Sequence, residues 1–176
     1  MGAKYQEFHR RSIEDRDGFW SEQARLVDWH KPFGQVLDYA KPPFARWFVG
    51  GEINLCHNAV DRHLKDRASQ PALIYISTET GEEKTYTYAE LHAEVQRMAA
   101  VLQSLGVGKG DRVLIYMPMI AEAIFAMLAT VRIGAIHSVV FGGFSAKSIH
   151  ERIIDAGATE VITADGQFRG GKEIPL

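Results

Sequence analysis

A chain of 176 residues is long enough to bury a sizeable core, and 46% hydrophobic with 24% charged residues is the composition of a soluble globular protein. The formal net charge of -2 leaves no electrostatic footprint for nucleic acid, and the single cysteine, Cys56, excludes an intramolecular disulfide and suits a reducing compartment. Charged residues from Lys4 to Arg16 argue against a secretory signal, and the most apolar stretch, Met117 to Ala146, is interrupted by Pro118, Glu122, Arg132 and several glycines, so it reads as buried helix and strand and not as a membrane span.

Residues 1–60 carry many aromatics (Phe19, Trp20, Trp29, Phe33, Tyr39, Phe44, Trp47 and Phe48) among Lys31-Pro32, Gly34 and Lys41-Pro42-Pro43, with no sustained period. This predicts a lead segment of short helices and irregular chain whose aromatics need cover from a larger body. "NLCHNAVDRHLKD", Asn54 to Asp66, has near-helical spacing and predicts one helix capped by Asn54. Leu73 to Ile76 and Thr85 to Tyr88 predict a hairpin turning around Gly81.

Thr87-Tyr88-Ala89-Glu90 fits a capping box, with Tyr86 and Leu91 as a hydrophobic staple. Leu91, Val95, Met98, Leu102 and Leu105 then line one helical face, ended by a left-handed cap at Gly106. Arg112 to Met117 predicts a strand. "AEAIFAMLATVRIGA" predicts a buried helix ending at Gly134, and "IHSVVFGG" a buried strand holding His137. Ser145 caps a further helix ending at Gly157, and "TEVITAD" is a third strand. The order strand, helix, strand, helix, strand predicts an α/β fold with a parallel sheet reached by right-handed crossovers.

"GVGKGDR", Gly106 to Arg112, resembles a phosphate loop in composition only. It lies between a helix and a strand and lacks the Lys-Ser/Thr pair, so it reads as a turn. "VVFGGFS", Val139 to Ser145, lies where a parallel strand ends and a helix begins, the edge at which open α/β sheets bind ligands. It is either a ligand-facing loop or a tight turn. "DGQFRGGK" should share that edge; Arg169 and Lys172 either hold a phosphate, by fork and by point charge, or form a solvated basic turn. No Cys/His set has metal-ligand spacing, and Cys56 beside His57 is a poor nucleophile–base pair because sequence neighbours rarely face each other.

"FWSEQARLVDWHKPFGQVLD", "WFVGGEINLCHNAVDRHL", "TYTYAELHAEVQRMAAVLQSLGVGKGDRVLIYMPM", "RIGAIHSVVFGGFSAKSIHERIIDAGATEVITADG" and "RGGKEIPL" together resemble the start of the AMP-forming short-chain acyl-CoA synthetases of the acetate/propionate–CoA ligase type. "NLCHNAVDRHL" is more similar to the propionate branch than to the acetate branch, which stays as the alternative. The resemblance implies a lead segment over 1–60 and the beginning of the AMP-binding, adenylate-forming large domain over 61–176. It implies a cytoplasmic enzyme in which a short-chain carboxylate attacks MgATP to give an acyl adenylate and pyrophosphate, after which the CoA thiol displaces AMP. Phe141, Gly142 and Gly143 would lie against the CoA nucleotide and Arg169 near its 3'-phosphate. Lys172 stands where some relatives have arginine, so the charge stays and the fork is lost. The ATP phosphate loop, the acyl pocket and the adenylation lysine would lie beyond Leu176. On this reading the chain is an inactive, marginally stable N-terminal fragment whose missing remainder completes the enzyme. It contributes CoA-binding residues but no catalytic or metal-binding residue, and it has no nucleic-acid or membrane partner. A stand-alone α/β module binding CoA or nucleotide without chemistry, and a ligand-free structural fragment, are the rival readings.

Overall fold

A computed structural model describes residues 2–176. It comprises two compact units, Met1–Asn54 and Leu55–Leu176. The first holds helices α1 (Ala3–Glu14) and α2 (Arg16–Gln23) and an antiparallel hairpin of β1 (Gln35–Lys41) and β2 (Phe44–Val49). The Asp15 side chain caps α2, its Oδ1 accepting from Gly18 N at 3.2 Å. The hairpin departs from the expected irregular chain. Pro42 and Pro43 fall in its turn, where the ladder asks for no N–H donor, so they do not break the strands. The aromatics cover one another only in part, and Tyr39, Phe44 and Trp47 remain exposed. Phe19 is buried edge-on to Phe8 and Trp20, Trp20 meets Trp47, and Trp29, Phe33 and Phe48 form a mutual cluster.

The second unit opens with α3 (Leu55–Ala59), a 3-10 turn and α4 (Leu64–Arg67), not the single helix expected from Asn54 to Asp66. Val60 leaves helical geometry, with φ -127° and ψ -64°, and is buried together with Cys56. Packing thus overrides the helical spacing. The hairpin β3 (Pro71–Ile76) and β4 (Glu83–Thr87) leads directly into α5 (Tyr88–Ser104). The capping box is complete. Thr87 Oγ1 accepts from Glu90 N at 3.2 Å, and Glu90 Oε2 accepts from Thr87 N at 2.8 Å. At the other end Val107 N bonds to Leu102 O and Gly106 N to Gln103 O, both at 3.0 Å, with Gly106 at φ 93°. This is a Schellman ending, and Val107 and Leu102 are both buried. Leu105 is the exception to the predicted face, being exposed at the cap position.

Strand β5 (Arg112–Met117), helix α6 (Ala121–Arg132), strand β6 (Ile136–Phe141), helix α7 (Ala146–Ala156) and strand β7 (Glu160–Thr163) form the predicted alternation. The sheet is parallel, in the order β6-β5-β7. Val113 and Ile115 on one face of β5 pack with residues of α5 and α6, while Leu114 and Tyr116 on the other meet Ile149 and Ile153 of α7. A central strand covered on both faces explains the unbroken apolar run from Val113 to Tyr116. Strand β6 differs from the expected buried strand. It is an edge strand with Ile136, Val139 and Phe141 exposed and His137 half-buried. Arg132, at the end of α6, donates to both Asp61 oxygens at 2.9 and 2.8 Å, with His92 Nε2 3.0 Å from Asp61 Oδ1. Among the described residues, no helix is long and apolar enough to cross a membrane.

Candidate functional site

The carboxyl ends of all three parallel strands open into one cleft of about 550 Å³. Pro118 and Met119 follow β5, Phe141 ends β6, and Ala164 and Asp165 follow β7. The chain passes from β6 across β5 to β7, so the cleft sits where open α/β sheets reverse direction and bind ligands. One wall is the β3–β4 turn, including Ser77, Thr78 and Glu79.

The stretch after β7 is not a loop but a third hairpin, β8 (Gly166–Arg169) and β9 (Lys172–Pro175). Gly170 and Gly171 form its two-residue turn at φ 61° and 72°, the left-handed values a type I' turn requires. Two adjacent glycines between β-forming segments carry that signal in the sequence. The turn places Arg169 and Lys172 directly opposite each other as the closing pair.

The hairpin lies against the "FGG" loop. Gln167 Nε2 donates to Gly142 O at 2.8 Å, and the Arg169 guanidinium carbon is 5.8 Å from the centre of the Phe141 ring. The Tyr116 hydroxyl lies 3.2 Å from Gly142 O and 3.1 Å from Phe144 O, sharing one proton between them. Neither Gly142 nor Gly143 has a left-handed φ, so space and not conformation selects glycine. A Cβ on Gly142 would meet Gln167 Oε1 at 3.1 Å and Met117 O at 3.4 Å. One on Gly143 would meet the Phe141 ring at 2.6 Å and Arg169 Nη1 at 3.2 Å.

The five sequence-derived residues therefore meet at one edge: Phe141, Gly142, Gly143 and Arg169 in contact around the loop, and Lys172 across the turn from Arg169. Among the described residues, neither Arg169 nor Lys172 forms an ion pair. Both are exposed, so the pair presents two cations without a direct ion-pair partner beside the cleft. Tyr116 and Gln167 were not singled out by the sequence reading. The only signal for Tyr116 is a phenol near the carboxyl end of an aliphatic strand, and Gln167 carries none. Cys56 is fully buried with Arg132 Nη1 3.5 Å from its Sγ, and burial pushes its thiol pKa up, which disqualifies it as a nucleophile. Among the described residues no cluster of His, Cys, Asp and Glu is placed to hold a metal ion.

The "AMP-binding enzyme" family matches residues 60–174, and the family "Acetyl-coenzyme A synthetase N-terminus" matches residues 5–59. The chain belongs to the AMP-binding enzyme family. It is 57% identical over 171 residues to propionate–CoA ligase of Salmonella typhimurium, covering 97% of this chain and 27% of that protein. It is 56% identical over 173 residues to acetyl-coenzyme A synthetase of Thiobacillus denitrificans, covering 98% and 26%. Its fold superposes on acetoacetyl-CoA synthetase from Streptomyces lividans with a TM-score of 0.90 at 36% identity, over 99% of this chain and 27% of that one. The chain thus spans about a quarter of the length of the AMP-binding enzymes it matches.

Proposed function

We propose that these residues form the CoA-nucleotide side of an AMP-forming short-chain acyl-CoA synthetase acting on propionate. Propionate, ATP and CoA would give propionyl-CoA, AMP and pyrophosphate. The observation that supports this reading most is the unpaired Arg169–Lys172 couple, set by a glycine turn beside the "FGG" loop at the carboxyl edge of the sheet. The Arg169 fork would grip the CoA 3'-phosphate and Lys172 would add a point charge. The exposed Phe141 ring, already under the Arg169 guanidinium, offers a face to the adenine. Gly142 and Gly143 leave room for Gln167, the Phe141 ring and Arg169 to close against the loop beside the nucleotide. ATP and Mg²⁺ would act at residues other than these, and no catalytic role falls on any of the five.

Acetate is the second reading for the acyl group, favoured by the 56% identity to an acetyl-coenzyme A synthetase. By either reading the 176 residues alone should form no acyl-CoA, because they span only about a quarter of the length of the ligases they match. The test uses a chimera in which this chain replaces the matching stretch of the Salmonella typhimurium propionate–CoA ligase. Arg169→Ala should raise the KM for CoA about tenfold or more, the scale of a lost charge-assisted phosphate contact, while adenylate formation keeps its rate. Equal loss in both half-reactions contradicts the assignment.

A further inference from the structure

The turn of the β8–β9 hairpin holds a group that CoA recognition does not use. Gly170 and Gly171 are both left-handed, and their two adjacent N–H groups are directed at one point outside the turn. Glu79 occupies that point. Its Oε1 accepts from Gly170 N at 3.0 Å and its Oε2 from Gly171 N at 2.8 Å, across more than 90 residues of sequence. The two bonds hold the Glu79 carboxyl below its ordinary pKa.

The β3–β4 turn that carries Glu79 is braced from within. Ser77 N bonds to Glu82 O at 2.8 Å, Gly81 N to Ser77 O at 2.9 Å, and Thr80 N to Ser77 Oγ at 3.2 Å. The hairpin it grips is weak by comparison. Its strands are four residues each, and its closing pair sets two like charges directly opposite one another. A carboxylate at the turn brings a negative charge to that end and engages two N–H groups that the turn leaves without a partner in its own ladder.

We propose that Glu79 is a positioning residue: it clamps the Gly170–Gly171 turn to the β3–β4 turn and thereby fixes Arg169 and Lys172 at the mouth of the cleft. The identity of the ligand rests on the CoA reading above; the clamp rests on the two hydrogen bonds. Glu79 does not touch the ligand. It acts by sparing the two cations the cost of being ordered when the phosphate arrives.

In the chimera, Glu79→Ala should raise the KM for CoA about two- to fivefold, the range for one exposed charged contact, with kcat unchanged. Glu79→Gln keeps an acceptor oxygen and should fall between. With dephospho-CoA, which lacks the 3'-phosphate, all three forms should have the same KM. Hydrogen exchange at the Gly170 and Gly171 amides should be faster in Glu79→Ala whether or not CoA is present. A rise in KM that is equal for CoA and dephospho-CoA, a fall in KM, or unchanged exchange at the two glycines each overturns the clamp. An unchanged KM in Glu79→Ala beside a raised one in Arg169→Ala overturns the clamp and leaves the CoA reading standing. An unchanged KM for CoA in Arg169→Ala overturns the CoA reading, and the exchange at Gly170 and Gly171 then judges the clamp alone.

Discussion

Two stretches of this chain look alike on paper. "GVGKGDR" and "FRGGKE" each mix glycines with a lysine and an arginine, yet they sit at opposite ends of the parallel sheet. The first, at the amino end of β5, closes on itself. Asp111 Oδ2 accepts from Gly108 N at 2.8 Å, and a Cβ on Gly134 would meet the Lys109 side chain at 3.1 Å. Arg112 donates to the carbonyls of Gly110, Ala156 and Gly157 at 3.1, 3.1 and 2.9 Å. The second, after the carboxyl end of β7, leaves its arginine and lysine facing solvent and bonds through its glycine amides to a carboxylate from another turn. The same residue types serve the fold at one end and remain available to a ligand at the other. What separates them is whether the arginine already has protein acceptors.

Substitution can break that contrast. The largest effect should come from Arg112→Ala. It strips three carbonyls of a charged donor and should cost about 2 kcal/mol of stability, read as a lower denaturation midpoint. Arg169→Ala, by contrast, should change stability by less than about 0.5 kcal/mol, because its guanidinium is exposed and donates to no carbonyl among the described residues. A similar loss in both variants would erase the distinction.

Next comes Thr87→Ala, which removes the capping box that starts α5 and should cost about 1 kcal/mol. The smallest effect is that of acid. Glu79 and Glu90 both sit below their ordinary value of 4.5, held by the amides of Gly171 and Gly170 and by Thr87 respectively. A carboxylate depressed in the folded state contributes stability above its unfolded pKa and loses it as pH falls through the folded pKa. Thermal midpoints should therefore be flat near neutrality and fall only below about pH 4.5, and less steeply in Glu79→Gln.

Local signals were legible in the sequence where they act within a few residues. The capping box at Thr87, the left-handed end at Gly106, the cap at Ser145 and the strand–helix alternation from Arg112 onward all appear in the structure. So does the meeting of "FGG" with Arg169, because strand order alone puts both on the carboxyl edge. Features set by packing or distance were not. Val60 breaks a helix that spacing favours, since burial of Val60 and Cys56 outweighs propensity. The β1–β2 hairpin was hidden because Pro42 and Pro43 read as breakers, although a turn tolerates them. Glu79 could not be found at all, for nothing near it in sequence points to glycines more than 90 positions away.

The central claim is that CoA engages the carboxyl-edge loops and not their look-alike at the other end. Hydrogen exchange of the chimera with and without CoA tests it directly. The account predicts slower exchange across 141–143 and 167–172 when CoA is bound, and no change across 106–111. Protection of 106–111, or unchanged exchange in all three stretches, would contradict it.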